Sequence, residues 1–99
     1  MSRDVRYLPS AKTDLLEIVK YIARDNPPAA LALVELLDKT IGHLAEFPEL
    51  GREPKDDRLR RLGYRMVVIG DYLAFYVVKN EVIEIRRVIH GSRRYEFLL

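Results

Sequence analysis

The sequence predicts an α+β domain in which a helical hairpin packs on a mainly antiparallel sheet, in the order β-α-α-β-β-β. Three observations carry this. Two stretches with apolar residues at helical spacing meet at Asn26-Pro27-Pro28. Three β-patterned runs follow, joined by links too short for anything but hairpins. A polar loop rich in Pro and Gly separates the two halves.

In order along the chain, residues 3–8 alternate Val5 and Tyr7 against Asp4 and Arg6, the pattern of a short strand. Pro9 is expected to stop it, and Ser10 to cap a helix over about residues 11–25, with Leu15, Ile18, Val19 and Ile22 as its apolar stripe. Asn26 is a candidate cap for the second helix, whose first turn tolerates Pro27 and Pro28 because those N–H groups need no intrahelical partner. Ala30, Val34, Leu37, Ile41 and Leu44 then fall on one face, up to Phe47 and Pro48. So short a turn makes the two helices antiparallel neighbours.

Residues 48–57 read as a loop, and strands are expected at about 59–69, 72–79 and 82–90. Gly70-Asp71 and Lys79-Asn80-Glu81 mark the turns of a meander. In the last strand Arg87 falls in phase with Ile83, Ile85 and Ile89. Either a bulge near Arg86 and Arg87 resets the phase, or Arg87 sits where its head reaches water. Residues 92–99 are expected to form at most one turn, with Phe97 and Leu98 docked on the body.

Ninety-nine residues are expected to make one domain, 1–99. The chain has no cysteine, so disulfides and thiolate metal sites are excluded. No apolar run is long enough to span a bilayer, and the segment Met1–Asp4 lacks the apolar stretch of a signal peptide. A cytoplasmic protein without membrane contact is the expectation. The net charge of +2 hides an asymmetry: residues 1–50 hold 6 Lys/Arg against 8 Asp/Glu, and residues 51–99 hold 11 against 7. A basic second half suits a polyanionic or acidic partner.

The chemistry-bearing residues gather at the C-terminal end. Arg61 and Arg65 lie on the expected first strand of the meander, and Arg87, His90, Arg93, Arg94 and Tyr95 follow the last one. Arginine grips phosphate through a planar fork, and tyrosine or histidine can transfer a proton or stack on a base. His43 stands alone on its helix with no ligand-type neighbour at helical spacing. No phosphate loop, nucleophile elbow or metal motif appears, so no metal and no cofactor are expected.

The run AKTDLLEIVKYIARDNPPAALALVELLDKTIGHLAEFPELGR, then YLAFYVV, then IEIRRVIHGSRR, resembles the RelE/ParE superfamily of type II toxin–antitoxin toxins over nearly the whole chain. The resemblance implies the same helical hairpin on an antiparallel sheet, a role in growth arrest and plasmid stabilisation, and a cognate antitoxin whose C-terminal segment wraps the toxin. It also implies one of two targets. RelE-like members are mRNA interferases, ribosome-dependent endoribonucleases that cut mRNA. ParE-like members lack that residue set and poison DNA gyrase. Arg65 matches a basic sheet position of the ribonucleases, and Arg93 the basic residue after their last strand. Val67 and Leu73 stand where further basic residues would be expected, and Tyr95 falls one helical turn before the ribonuclease tyrosine position, near Leu99. The ParE-like reading therefore comes first, with Arg61, Arg65, Arg87, Arg93 and Arg94 binding the target and no catalysis. The ribonuclease reading, with the ribosome and its mRNA as partners, is the alternative; there Arg65 and Arg93 hold the phosphate, and His90 or Tyr95 moves the proton. A non-toxic basic binding module is the third reading.

Overall fold

A computed structural model describes residues 3–99, apart from the side chain of Phe97. Strand β1 spans Asp4–Tyr7, helix α1 Pro9–Asp25, helix α2 Pro27–Glu46, helix α3 Asp57–Arg61, and strands β2, β3 and β4 Tyr64–Ile69, Tyr72–Lys79 and Val82–His90. A single 3-10 turn, Tyr95–Phe97, follows. The sheet order is β1-β4-β3-β2. Its β2, β3 and β4 form the expected antiparallel meander, and β1 joins β4 in parallel. The expectation that Phe97 docks on the body concerns a side chain outside the described residues.

The two long helices form as their sequences dictate, with one difference at the start. Pro9 opens α1 rather than merely ending β1: it occupies the first helical position, and Leu8 is the cap, with no side-chain hydrogen bond. Ser10, expected as the cap, lies inside the helix and donates its Oγ hydrogen to the Arg86 carbonyl at 2.8 Å. Asn26 caps α2 as expected, its Oδ1 accepting the Ala29 N–H at 3.2 Å. Of the α2 face, Ala30, Leu37, Ile41 and Leu44 are buried and Val34 is half-buried.

The largest departure is at residues 57–61, expected in part as strand and found as helix α3. The Asp56 carboxylate accepts the Leu59 N–H at 3.0 Å, Asp57 lies in the first turn, and Arg60 and Arg61 lie in the last. That charge order complements the helix dipole. Leu59 is fully buried, and Gly63, at φ +86°, takes the left-handed conformation that turns the chain into β2.

The sheet is covered on both faces. Toward α1 and α2 it presents Val5, Tyr7, Val67, Ile69, Ala74, Tyr76, Ile83, Ile85 and Val88. The other face carries Tyr64, Phe75, Val77 and Ile89 beneath Leu59, Tyr95, Leu98 and Leu99. A bulge makes this division possible. Tyr76 pairs with Ile85 and Phe75 with Arg87, so Arg86 is an extra residue on β4. Beyond it the alternation flips: Val88 joins Ile83 and Ile85 under the helices, and Ile89 turns to the opposite face. Of the two explanations open from sequence, the bulge is the one found.

β1 pairs with β4 only as far as Ile85, so the rest of β4 would be an open edge. The first half of α1 closes it. The Leu8 N–H donates to the Ile85 carbonyl at 2.9 Å, Ser10 Oγ to the Arg86 carbonyl, and the Val88 N–H to Asp14 Oδ2 at 2.9 Å. The Leu8 backbone and two side chains of the helix thus stand in for the missing strand, supplying partners to β4 groups beyond its pairing with β1.

Candidate functional site

The structure divides the basic residues between opposite ends of the sheet. One end holds His90 and Arg93. His90 is the last residue of β4 and pairs with Tyr72, whose ring meets the imidazole edge-on at 5.3 Å. The Gly91 N–H donates to the Asp71 carbonyl at 2.8 Å and the Arg93 N–H to the His90 carbonyl at 3.0 Å, so the turn after β4 is tied to the β2–β3 turn. A shallow depression of about 130 Å³ is lined by Asp14, Glu17, Tyr72, Arg87, His90 and Arg93, among others.

The imidazole is oriented. His90 Nδ1 accepts the Ser92 N–H at 3.1 Å and lies 2.8 Å from Ser92 Oγ. In the neutral ring this places the proton on Nε2, so its lone pair is already engaged by Ser92. The Tyr72 hydroxyl, shifted upward first by burial and then by Asp71 and Tyr21, stays protonated at neutral pH.

Arg87 lies beside this end, committed to an ion pair. Its Nε and Nη2 donate to the two oxygens of Asp14 at 2.7 and 3.0 Å, and its Nη1 to the Leu98 carbonyl at 2.9 Å. The hydrogen bonds to Asp14 hold its pKa above the usual arginine value, so the guanidinium stays charged. One side chain therefore joins α1, β4 and the C-terminal tail. Tyr95 also packs, with its ring 4.9 Å from that of Phe75.

Arg65 belongs to the other end. It pairs with Tyr76, whereas His90 pairs with Tyr72, so about four residues, roughly 14 Å at strand spacing, separate the two positions along the sheet. The Arg65 guanidinium donates to the Gly51 carbonyl at 2.8 Å and lies 3.9 Å from Glu53. There it supports the loop after α2, which is built around a buried tyrosine. The Tyr76 hydroxyl donates to the Pro48 carbonyl at 2.6 Å and accepts the Gly51 N–H at 2.9 Å. Arg61, expected on a strand, is exposed on α3 beside Asp57 and Glu53. Arg94 is exposed just before the 3-10 turn.

Val67 packs toward the helical hairpin and Leu73 into the apolar cluster on the opposite face. His43 is exposed in the last turn of α2. Among the described residues no group of three or more His, Cys, Asp or Glu is arranged to hold a metal ion, and no helix is long and apolar enough to cross a membrane.

Two features of the structure carry no clear signal in the sequence. Nothing in a lone aspartate on an amphipathic helix announces the ion pair that Asp14 makes 73 positions away. The second is an apolar groove of about 420 Å³ lined by Tyr7, Lys12, Leu15, Leu16, Val19, Val34 and Leu37. Its place depends on where the sheet leaves the helical hairpin uncovered, which residue spacing does not encode.

This fold, with a helical hairpin on a four-stranded sheet and a short basic tail, defines a class of small toxins. Residues 5–95 match the family described as ParE toxin of type II toxin-antitoxin system, parDE. The chain belongs to that family, within the RelE/ParE superfamily. It is 32% identical over 102 residues to the protein named "Putative toxin Y4kP" of Sinorhizobium fredii, covering the whole of both chains. Its fold is similar to a chain of the chromosomal ParDE system from P. aeruginosa, with a TM-score of 0.73 at 20% identity, over 90% of this chain and 96% of that one. It is also similar to a chain of the RelBE2 toxin–antitoxin complex from Mycobacterium tuberculosis, with a TM-score of 0.63 at 22% identity, over 91% and 99%. A chain of the E. coli DinJ-YafQ complex gives 0.58 at 13% identity, over 93% and 96%.

Proposed function

We propose that this toxin arrests growth by binding and poisoning DNA gyrase, without catalysing a reaction, and that a cognate antitoxin neutralises it. The observation that carries the first part is the separation of Arg65 from His90 and Arg93. Cleavage of RNA by 2′-hydroxyl attack needs positive charge at the scissile phosphate and a group free to move a proton, within a few ångströms of each other. Here Arg65 supports a loop about four strand residues away. The lone pair of neutral His90 is engaged by Ser92, and Tyr95 is packed on Phe75. Arg93 is exposed at the tail end and suited to contact with a target surface.

The test is a gyrase supercoiling reaction titrated with the full-length chain. Loss of supercoiling with accumulation of cleaved DNA supports the reading. Unimpaired supercoiling at a large excess of toxin would overturn it. One observation favours a second reading, ribosome-dependent mRNA cleavage: His90 and Arg93 do border the same depression.

The antitoxin is assigned to the groove between the helices. The likeness to chains of the ParDE, RelBE2 and DinJ-YafQ systems supports such a partner. The groove is apolar except for Lys12, and fits the apolar face of a helix or extended segment. Leu16 is 61% exposed, so Leu16→Glu spares the fold. It is expected to weaken antitoxin binding by about tenfold or more, the cost of about 1.4 kcal/mol, as read by titration calorimetry. Unchanged affinity would remove the groove from the antitoxin interface.

A further inference from the structure

A cavity of about 710 Å³ opens at the end of α2. That volume is within the range of small-molecule sites, about 300–1,000 Å³. Its walls come from the residue before β1, the last turn of α2, the loop that follows and the strands β2 and β3. Hydrogen bonds fix these walls before any ligand arrives. The Arg3 N–H donates to the Ala45 carbonyl at 2.9 Å, the Leu50 N–H to the Phe47 carbonyl at 2.9 Å, and the Tyr76 hydroxyl to the Pro48 carbonyl. Arg65, which also lines the cavity, directs its guanidinium to the Gly51 carbonyl.

The packing of the domain does not explain the rest of the lining. Phe47 and Leu50 are 63% and 51% exposed. Arg3, Glu46 and Glu49 border the same cavity, yet none of the three forms an ion pair among the described residues. The Arg3 Nε is buried and has no acceptor among the described residues. A guanidinium N–H taken out of water and left unbonded is a cost that a bound acceptor recovers. Opposite charges that border one cavity without meeting leave room for a ligand that carries both.

We infer that this cavity binds a small apolar zwitterion, of the class of apolar amino acids and dipeptides. Its carboxylate meets Arg3, its ammonium meets Glu46 or Glu49, and its side chain lies on Phe47, Leu50 and Val78. The carboxylate accepts from Nε and so satisfies the buried donor, in the geometry for which a guanidinium fork is suited. The ammonium needs no shaped partner, so exposed and flexible glutamates suffice. The apolar body covers a ring and a leucine that water now reaches. The end of a long polypeptide carries only one of the two charges, which favours a free small molecule. The two glutamates repel phosphates, which disfavours a nucleotide. The inference does not rest on the gyrase reading: the cavity lies at the Arg65 end of the sheet, away from His90 and Arg93, and its test involves no gyrase.

The experiment is an NMR titration of the full-length chain with four probes: phenylalanine, leucyl-phenylalanine, its N-acetyl derivative and its C-terminal amide. The expected result is saturable binding of a free zwitterion with a Kd of about 1 mM or tighter, with amide shifts centred on Arg3, Phe47 and Leu50. The first two probes distinguish an amino acid from a dipeptide. Acetylating the ammonium or amidating the carboxylate should each weaken binding by about fivefold or more, the loss of one charged contact. Crossing probes with variants separates the contacts. In Arg3→Gln the free and amidated dipeptides should bind equally. In the double variant Glu46→Gln, Glu49→Gln the free and acetylated dipeptides should do so. Leu50→Ala should weaken all probes alike. Thermal melts of the variants guard against loss of fold.

The inference is overturned by the absence of saturation with any probe at about ten times that concentration. Equal binding of the free and blocked dipeptides also overturns it, as does a preference for the free carboxylate that survives Arg3→Gln in a folded variant. If no probe binds and a protein partner instead shifts Phe47 and Leu50, the cavity is a protein contact and the inference fails.

Discussion

Replacing Gly51 with alanine is expected to destabilise the protein more than any other single methyl group added to its surface loops. A Cβ at this position would lie 2.6 Å from the Tyr76 hydroxyl and 2.7 Å from the Met66 carbonyl oxygen. Neither neighbour can retreat cheaply. Tyr76 is fully buried and holds the Pro48 carbonyl and the Gly51 N–H, while Met66 bonds Arg52 through both its N–H and its carbonyl. Overpacking combined with the loss of these bonds predicts a cost of about 3 kcal/mol. In a domain of this size each kcal/mol lowers the melting midpoint by about 4–8 °C. A fall of more than about 10 °C in a thermal melt is therefore expected, and a fall of a degree or two would show that the loop gives way without dragging on Tyr76. The prediction also explains the sequence FPELGR in physical terms: Pro48 supplies an acceptor, Gly51 the close approach, and Arg65 on the neighbouring strand clamps the Gly51 carbonyl.

Asp14→Ala should come next in effect and should also disturb function. The carboxylate receives two guanidinium hydrogen bonds from Arg87 and the Val88 N–H. Its removal leaves a partly buried cation and an open strand edge together. The Arg87 side chain is 27% exposed, so water softens the loss, and about 2–3 kcal/mol is expected rather than the larger cost of a fully buried pair. Because Arg87 also holds the Leu98 carbonyl, the tail should loosen with it. Amide exchange is the discriminating measurement. Val88 and the residues after Gly91 should lose protection in Asp14→Ala, and Asp14→Asn, which keeps an acceptor for Val88, should recover part of it. Full protection in Asp14→Ala would mean that the edge is held without the carboxylate.

Much of this architecture was legible in the sequence because it follows from local rules. The helical hairpin is written in the 3.6-residue spacing around Leu37, Ile41 and Leu44, and in the Asn26 cap followed by prolines. The meander is written in alternation broken at Gly70-Asp71 and Asn80-Glu81. What was missed depends on contacts between distant positions. Residues 57–61 carry an Asp cap, an acidic first turn and a basic last turn, signals of a helix that were overridden by the apolar residues beginning at Leu62. The parallel pairing of β1 with β4 joins positions about 80 residues apart, and no spacing rule encodes it. The basic residues are divided by the fold in a way that spacing does not encode. In one dimension Arg65, Arg87, His90 and Arg93 read as parts of one set. In the fold, Arg65 faces a loop at one end, while Arg87, His90 and Arg93 border one depression at the other, where Arg87 is paired with Asp14. The phase conflict at Arg87, by contrast, was a true signal, resolved by the bulge at Arg86.

The central claim is that this end of the molecule binds and does not cleave. The most direct test is to map mRNA 5′ ends on programmed ribosomes incubated with saturating full-length toxin. The predicted result is a pattern identical to the toxin-free control, because Arg87 is committed to Asp14, Arg65 lies about four strand residues away and the Nδ1 lone pair of neutral His90 is engaged by Ser92. New ends in the ribosomal A site that disappear in the His90→Ala variant would contradict the account and make His90 and Arg93 a ribonuclease site.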